Sequence, residues 1–129
     1  MLIIRLAVLC VLTHLITSCA KTKEMSYAKL GYDKDIFTDP ETKQGFTGIA
    51  RDYHKKNGAI KAEYPMKDGK FHGTVKEWFP DGKPLSEIEY RNGEHYGLCK
   101  EWTADGQPFC ERVYDHDHLV SEKKLGAVK

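Results

Sequence analysis

Cysteine is scarce in this chain: Cys10, Cys19, Cys99 and Cys110 are the only four in 129 residues, and no two stand in a C-x-x-C spacing. That spacing marks dithiol redox sites, so redox chemistry has little to stand on. An excess of one charge is lacking too, with 20 Lys and Arg against 19 Asp and Glu. Nucleic-acid binding leans on a strong surplus of Lys and Arg over phosphate, so nucleic acid is not an expected partner. No glycine-rich phosphate loop and no nucleophile elbow occurs. Apolar residues make up 40% and charged ones 30%, which is lean for a compact core but tolerable in a sheet exposed on both faces.

The long apolar run at the front, Met1 to Ser18, carries one Arg and no acid. It has the layout of an export signal and is short for a stable membrane span. Leu15-Ile16-Thr17-Ser18-Cys19 resembles the lipobox of bacterial lipoproteins. In that family the signal is cut before the cysteine, whose thiol and new amine are acylated, and two or more chains anchor stably. The resemblance makes Cys19 the lipidated first mature residue. Ala20 after it points to the outer membrane if the cell is Gram-negative. An ordinary signal peptide or an uncleaved anchor helix are the alternatives. Without residues 1–18, which hold Arg5 and no acid, 19 basic residues balance 19 acidic ones. Residues 19–30 then read as lipidated cysteine and polar tether, 31–119 as the folded domain and 120–129 as a tail.

Within the domain, Gly73–Tyr90 and Gly97–Tyr114 are near copies at an offset of 24, pairing Gly69 with Gly93, Trp78 with Trp102, and Gly82 with Gly106. A looser copy holds Gly48, Tyr53 and Gly58. A period of this size means small units that bury surface against their neighbours. Each copy joins two β-rich runs by turn chemistry, such as Pro80-Asp81-Gly82, and Arg91-Asn92-Gly93 turns between copies. The expected fold is all-β: an antiparallel meander of stacked β-hairpins after an N-terminal signal-peptide helix, with residues 35–47 as a capping hairpin. Trp78 and Trp102, at equivalent places, are expected to stack into a ladder, with Tyr90 and Tyr114 as a second pair.

The pattern Y-x-x-G-x-x-x-G-x-x-x-x-W-x-x-x-G, carried by Tyr90, Gly93, Gly97, Trp102 and Gly106, resembles the variant MORN repeat of bacterial proteins grouped as the YwqK-type antitoxin family. That resemblance implies one long twisted sheet used for binding rather than catalysis, and the family name records an association with toxin neutralisation.

A four-residue loop Thr103–Gly106 would set Cys99 opposite Cys110, close enough for a disulfide. A three-residue loop would shift the register and leave two buried thiols. Asp115-His116-Asp117-His118 offers metal-ligand chemistry with no third ligand at a fixed spacing, so neither a metal nor a cofactor is expected. His72 and His95 read as surface residues of the turns between units. Glu77 and Glu101 recur with the repeat, which marks them as architectural. The expected function is therefore a lipid-anchored, non-catalytic binding or scaffold protein. Its partner is an unknown protein or envelope component, met through a sheet face or an exposed edge. An antitoxin or immunity-type protein is the alternative, with a small metal-dependent enzyme behind it.

Overall fold

The computed structural model describes residues 21–126; the expected signal sequence and Cys19 lie outside this range. Eleven strands are present among the described residues: β1 (Glu24–Ser26), β2 (Gly31–Asp33), β3 (Ile36–Thr38), β4 (Gly48–Tyr53), β5 (Ile60–Lys67), β6 (Lys70–Phe71), β7 (Gly73–Trp78), β8 (Pro84–Arg91), β9 (Glu94–Trp102), β10 (Pro108–Asp115) and β11 (His118–Lys124). Nine of them form one sheet in the order β1-β4-β5-β7-β8-β9-β10-β11, with β6 paired to β5. Apart from the parallel β1–β4 contact, every pairing is antiparallel. This is the meander of hairpins that the repeat predicts.

Two kinds of turn alternate along it. Within the two near-identical repeats a three-residue loop joins the strands, closed by Phe79 N–H donating to Lys83 O (2.8 Å) and by Thr103 N–H donating to Gln107 O (2.9 Å), whereas the looser first copy has one residue more, closed by His54 N–H donating to Ala59 O (2.8 Å). Gly82 and Gly106 hold φ of 85° there, the left-handed position that such loops give to glycine. Between repeats come two-residue turns with positive φ at both positions: Asp68-Gly69, Asn92-Gly93 and His116-Asp117. A bulge recurs beside the intra-repeat loop, at Asp52/Tyr53, Glu77/Trp78 and Pro108/Cys110.

The three-residue loop and the bulge overturn the expected cysteine pairing. Cys99 lies opposite Arg112, and Cys110 opposite Glu101. Both thiols are free and buried. They are diagonal neighbours, and diagonal positions stand about 7–8 Å apart, beyond the reach of an unstrained disulfide.

The N-terminal segment contributes more than a tether. Residues 24–29 add β1 to the edge of β4 and then make one 3-10 turn. The β2–β3 hairpin follows, extended by a bridge from Thr38 to Gly45. Phe46, Ala50 and Met66 are buried beneath Met25, Tyr27, Leu30, Phe37, Tyr64 and Phe71. This cap encloses the main apolar cluster because a lone sheet cannot cover its own face. At the other end, residues 120–124 belong to β11 and are not a tail. Their polar composition hid a strand whose pairing comes from β10.

Gly69 seats the cap. Its carbonyl accepts from Phe37 N–H (2.8 Å) and its N–H donates to Phe46 O (2.9 Å). A Cβ there would lie 2.6 Å from Phe37 O and 2.8 Å from Ile36 Cβ, whereas one at Gly82 would meet nothing within 4 Å. Gly82→Ala therefore costs only the left-handed backbone, about 1–2 kcal/mol. Gly69→Ala adds overpacking against backbone, a further ~1–3 kcal/mol. Urea denaturation of the two variants checks the difference; equal losses would mean that the cap does not rest on Gly69.

Candidate functional site

The register divides the large sheet into two chemically distinct faces. On one, Arg51 opposes Glu63, and the row continues through Lys76, Glu87, Lys100, Glu111 and Lys123, one residue from each of seven successive strands. The sign alternates at every step. Arg51 completes ion pairs with Glu63 (2.7 Å) and with Glu24 of β1 (2.6 Å). Cross-strand pairs of opposite charge contribute roughly 0.2–1 kcal/mol each, weakened by salt.

The other face carries Tyr64, Phe71, Tyr90, His95 and Tyr114 in an unbroken aromatic stripe. Centroid separations are 5.4 Å from Tyr64 to Phe71, 5.4 Å on to Tyr90, 4.6 Å to His95 and 5.2 Å to Tyr114. Tyr27 and Phe37 extend it onto the cap. All seven rings are half-buried, so each keeps part of its surface in reach of solvent. Beside it lie the small buried side chains of Val75, Ser86, Cys99 and Cys110.

The stripe differs from the predicted ladder. Among the described residues no aromatic pair involves Trp78 or Trp102, which stand at the loop ends of β7 and β9. One period spans two strands, and two strand spacings are about 10 Å. Rings need centroids within 4.5–7 Å to interact, so equivalent residues of successive copies cannot touch. Tyr90 and Tyr114 are separated in the same way, and His95 from the strand between fills the gap. Phe71 does this for Tyr64 and Tyr90.

His95 is thus not the surface turn residue expected from sequence. Its Nε2 lies 3.0 Å from Tyr90 Oη and its Nδ1 2.8 Å from Asp117 Oδ1, which also accepts the His95 backbone N–H at 2.8 Å. With Nδ1–H donating to the carboxylate, Nε2 is left to accept from the Tyr90 hydroxyl. That backbone donor and the imidazole hold the Asp117 carboxyl below the ordinary aspartate range. Burial raises the Tyr90 and Tyr27 hydroxyls and pushes Tyr64 up to about 12, so these three stay protonated at physiological pH.

The remaining sites serve architecture. Gly48 and Gly73 open strands, Gly97 lies within β9, Gly58 sits in the β4–β5 loop, and Tyr53 occupies the bulge position of Trp78. Glu77 accepts from Ser86 Oγ (2.8 Å), and Glu101 pairs with Arg112 (2.7 Å). Burial, then the negative charge of Glu101, raises the Cys99 thiol and keeps it protonated. His116 falls in a turn beside Asp115, off the strand that carries His118, and among the described residues no three His, Cys, Asp or Glu side chains gather to hold a metal ion.

The family model of the MORN repeat variant matches residues 71–92, which span β6 to the turn after β8. This repeat supports a binding or scaffold role. No curated protein matches the chain, and no solved structure does.

Because the folded-state Asp117 carboxyl titrates below its ordinary value near 3.8, its stabilisation is complete at neutral pH and is lost as pH falls through the depressed value. Asp117→Asn should be less stable than the parent at pH 7, with the gap closing below about pH 4. Thermal melts across pH 2.5–7 read this out, and a gap that persists at low pH would deny the carboxylate its role. In the charged row, Glu87→Lys sets three like charges side by side and should cost about 0.5–2 kcal/mol at low salt. Repeating the denaturation in 1 M salt should recover most of that loss.

Proposed function

We propose that this chain is a lipid-anchored, non-catalytic binding protein of the bacterial envelope that holds a protein or envelope component against its aromatic face. The half-open stripe from Tyr64 to Tyr114 carries the reading. It offers a row of flat rings on a rigid scaffold, and tyrosine supplies large contact area at low entropic cost. Its ionisable neighbours are tied into the fold, as Glu77 and Glu101 are to Ser86 and Arg112. That leaves a surface suited to recognition rather than a pocket built for reaction.

The anchoring half of the proposal rests on the lipobox-like Leu15–Cys19 sequence. A second reading, toxin neutralisation, is favoured by the likeness of Tyr90, Gly93, Gly97, Trp102 and Gly106 to the YwqK-type repeat. Both readings use the same surface, and rescue of growth on co-expression with a neighbouring toxin separates them.

In cells, Cys19→Ser should move the protein from the membrane fraction to the soluble one. Membrane retention of that variant would refute lipid anchoring. Tyr90→Ala combined with Tyr114→Ala should abolish crosslinking to the envelope partner, while Lys76→Ala on the opposite face should leave it unchanged.

A further inference from the structure

The two edges of the large sheet are finished differently. The β1 edge is three residues long, paired in parallel, and followed by the cap. The β11 edge runs for seven residues, His118–Lys124, all of them exposed. Among the described residues β11 pairs with β10 alone, from Cys110 opposite Lys124 to Asp115 opposite His118. An open edge of this length is a ready template for another strand.

The charged row states what that strand must carry. Arg51, Glu63, Lys76, Glu87, Lys100, Glu111 and Lys123 alternate in sign across seven strands, and Lys123 stands at the free edge. An eighth position that continues the alternation is acidic.

The same edge of a second copy does not meet the requirement. Joining β11 to β11 antiparallel in one continuous sheet keeps each face on its own side. The residues of β11 paired on the charged face are His118, Ser121 and Lys123, opposite Asp115, Val113 and Glu111. None is acidic, so lysine would meet lysine, serine or histidine. Edge lysines are a common guard against self-pairing, and here the same guard leaves an acidic strand welcome. Leu119 (52% exposed) and Val120 (65%) supply an apolar stretch at the start of the edge. Leu119 is opposite Tyr114, and Val120 occupies the bulge.

We propose that the free edge of β11 receives an extended acidic segment of another polypeptide as the next strand, with an Asp or Glu opposite Lys123 and apolar side chains beside Leu119 and Val120. This rests on the binding reading above and gives it an entry point: a partner strand placed here extends the sheet from the end at which the aromatic stripe stops, at Tyr114 on β10.

The test uses the full chain and two synthetic ten-residue peptides of alternating threonine and valine, one with a central glutamate and its twin with lysine in that place. Fluorescence anisotropy should show the glutamate peptide binding about five-fold more tightly, the order expected on exchanging an opposite for a like charge across two strands. Hydrogen exchange should slow at residues 118–124 when it binds. Lys123→Glu should invert the preference, and Lys123→Thr should erase it. Failure of the glutamate peptide to bind, or equal affinity for both peptides, overturns the proposal. Protection confined to the aromatic face also overturns it while leaving the broader binding reading intact. Loss of partner crosslinking in the Tyr90 and Tyr114 variant, measured separately, bears on that broader reading alone.

Discussion

Antiparallel register is the constraint on which the rest of this molecule depends. Among the described residues most of the sheet has no second layer, so each strand can shelter only what its neighbours place beside it. A slip of one residue would exchange the charged and aromatic faces. Along the repeats each strand is pinned by the turns at its two ends: on one side by three-residue loops with left-handed Gly82 and Gly106, on the other by two-residue turns such as Asn92-Gly93. The bulge beside each intra-repeat loop is part of the same device, because it appears at the same place in successive repeats.

From that register follow two surfaces with different work. The alternating row from Arg51 to Lys123 satisfies charge on an open face and penalises misaligned pairing. The aromatic stripe gathers the rings that a thin protein cannot bury fully. Tyrosine suits such a place, since its ring packs while its hydroxyl stays hydrogen-bonded or wet. The cap packs on the stripe as far as Phe71, where it joins Phe46, Ala50 and Met66, and the cluster does not extend to Tyr90, His95 or Tyr114. The molecule is therefore polar in direction as well as in face, with an enclosed beginning and an exposed end.

Much of this was legible in the residues. The 24-residue offset exposed the hairpins, Asn92-Gly93 and Pro80-Asp81-Gly82 marked the turns, and the residues before Gly48 announced a cap. The charged row was also open to inspection, since Lys76 and Lys100, and Glu87 and Glu111, repeat at the same offset. What escaped was the middle strand. His95 stands 24 residues after Phe71 and fills the same kind of gap, but a histidine aligned with a phenylalanine does not stand out as a repeat, and His72 one residue away offers a misleading match. The Trp ladder failed for the complementary reason, because residues equivalent by repeat are two strands apart.

By itself the sequence determined the periodicity, the turn positions and hence the all-β meander, because glycine and asparagine at fixed intervals dictate where a chain reverses. Tertiary structure alone decided which side chains meet. Loop length and one bulge set Cys99 against Arg112 instead of Cys110, and brought His95 between Tyr90 and Tyr114. Those contacts depend on a register that shifts with a single added residue, a quantity that local composition does not specify.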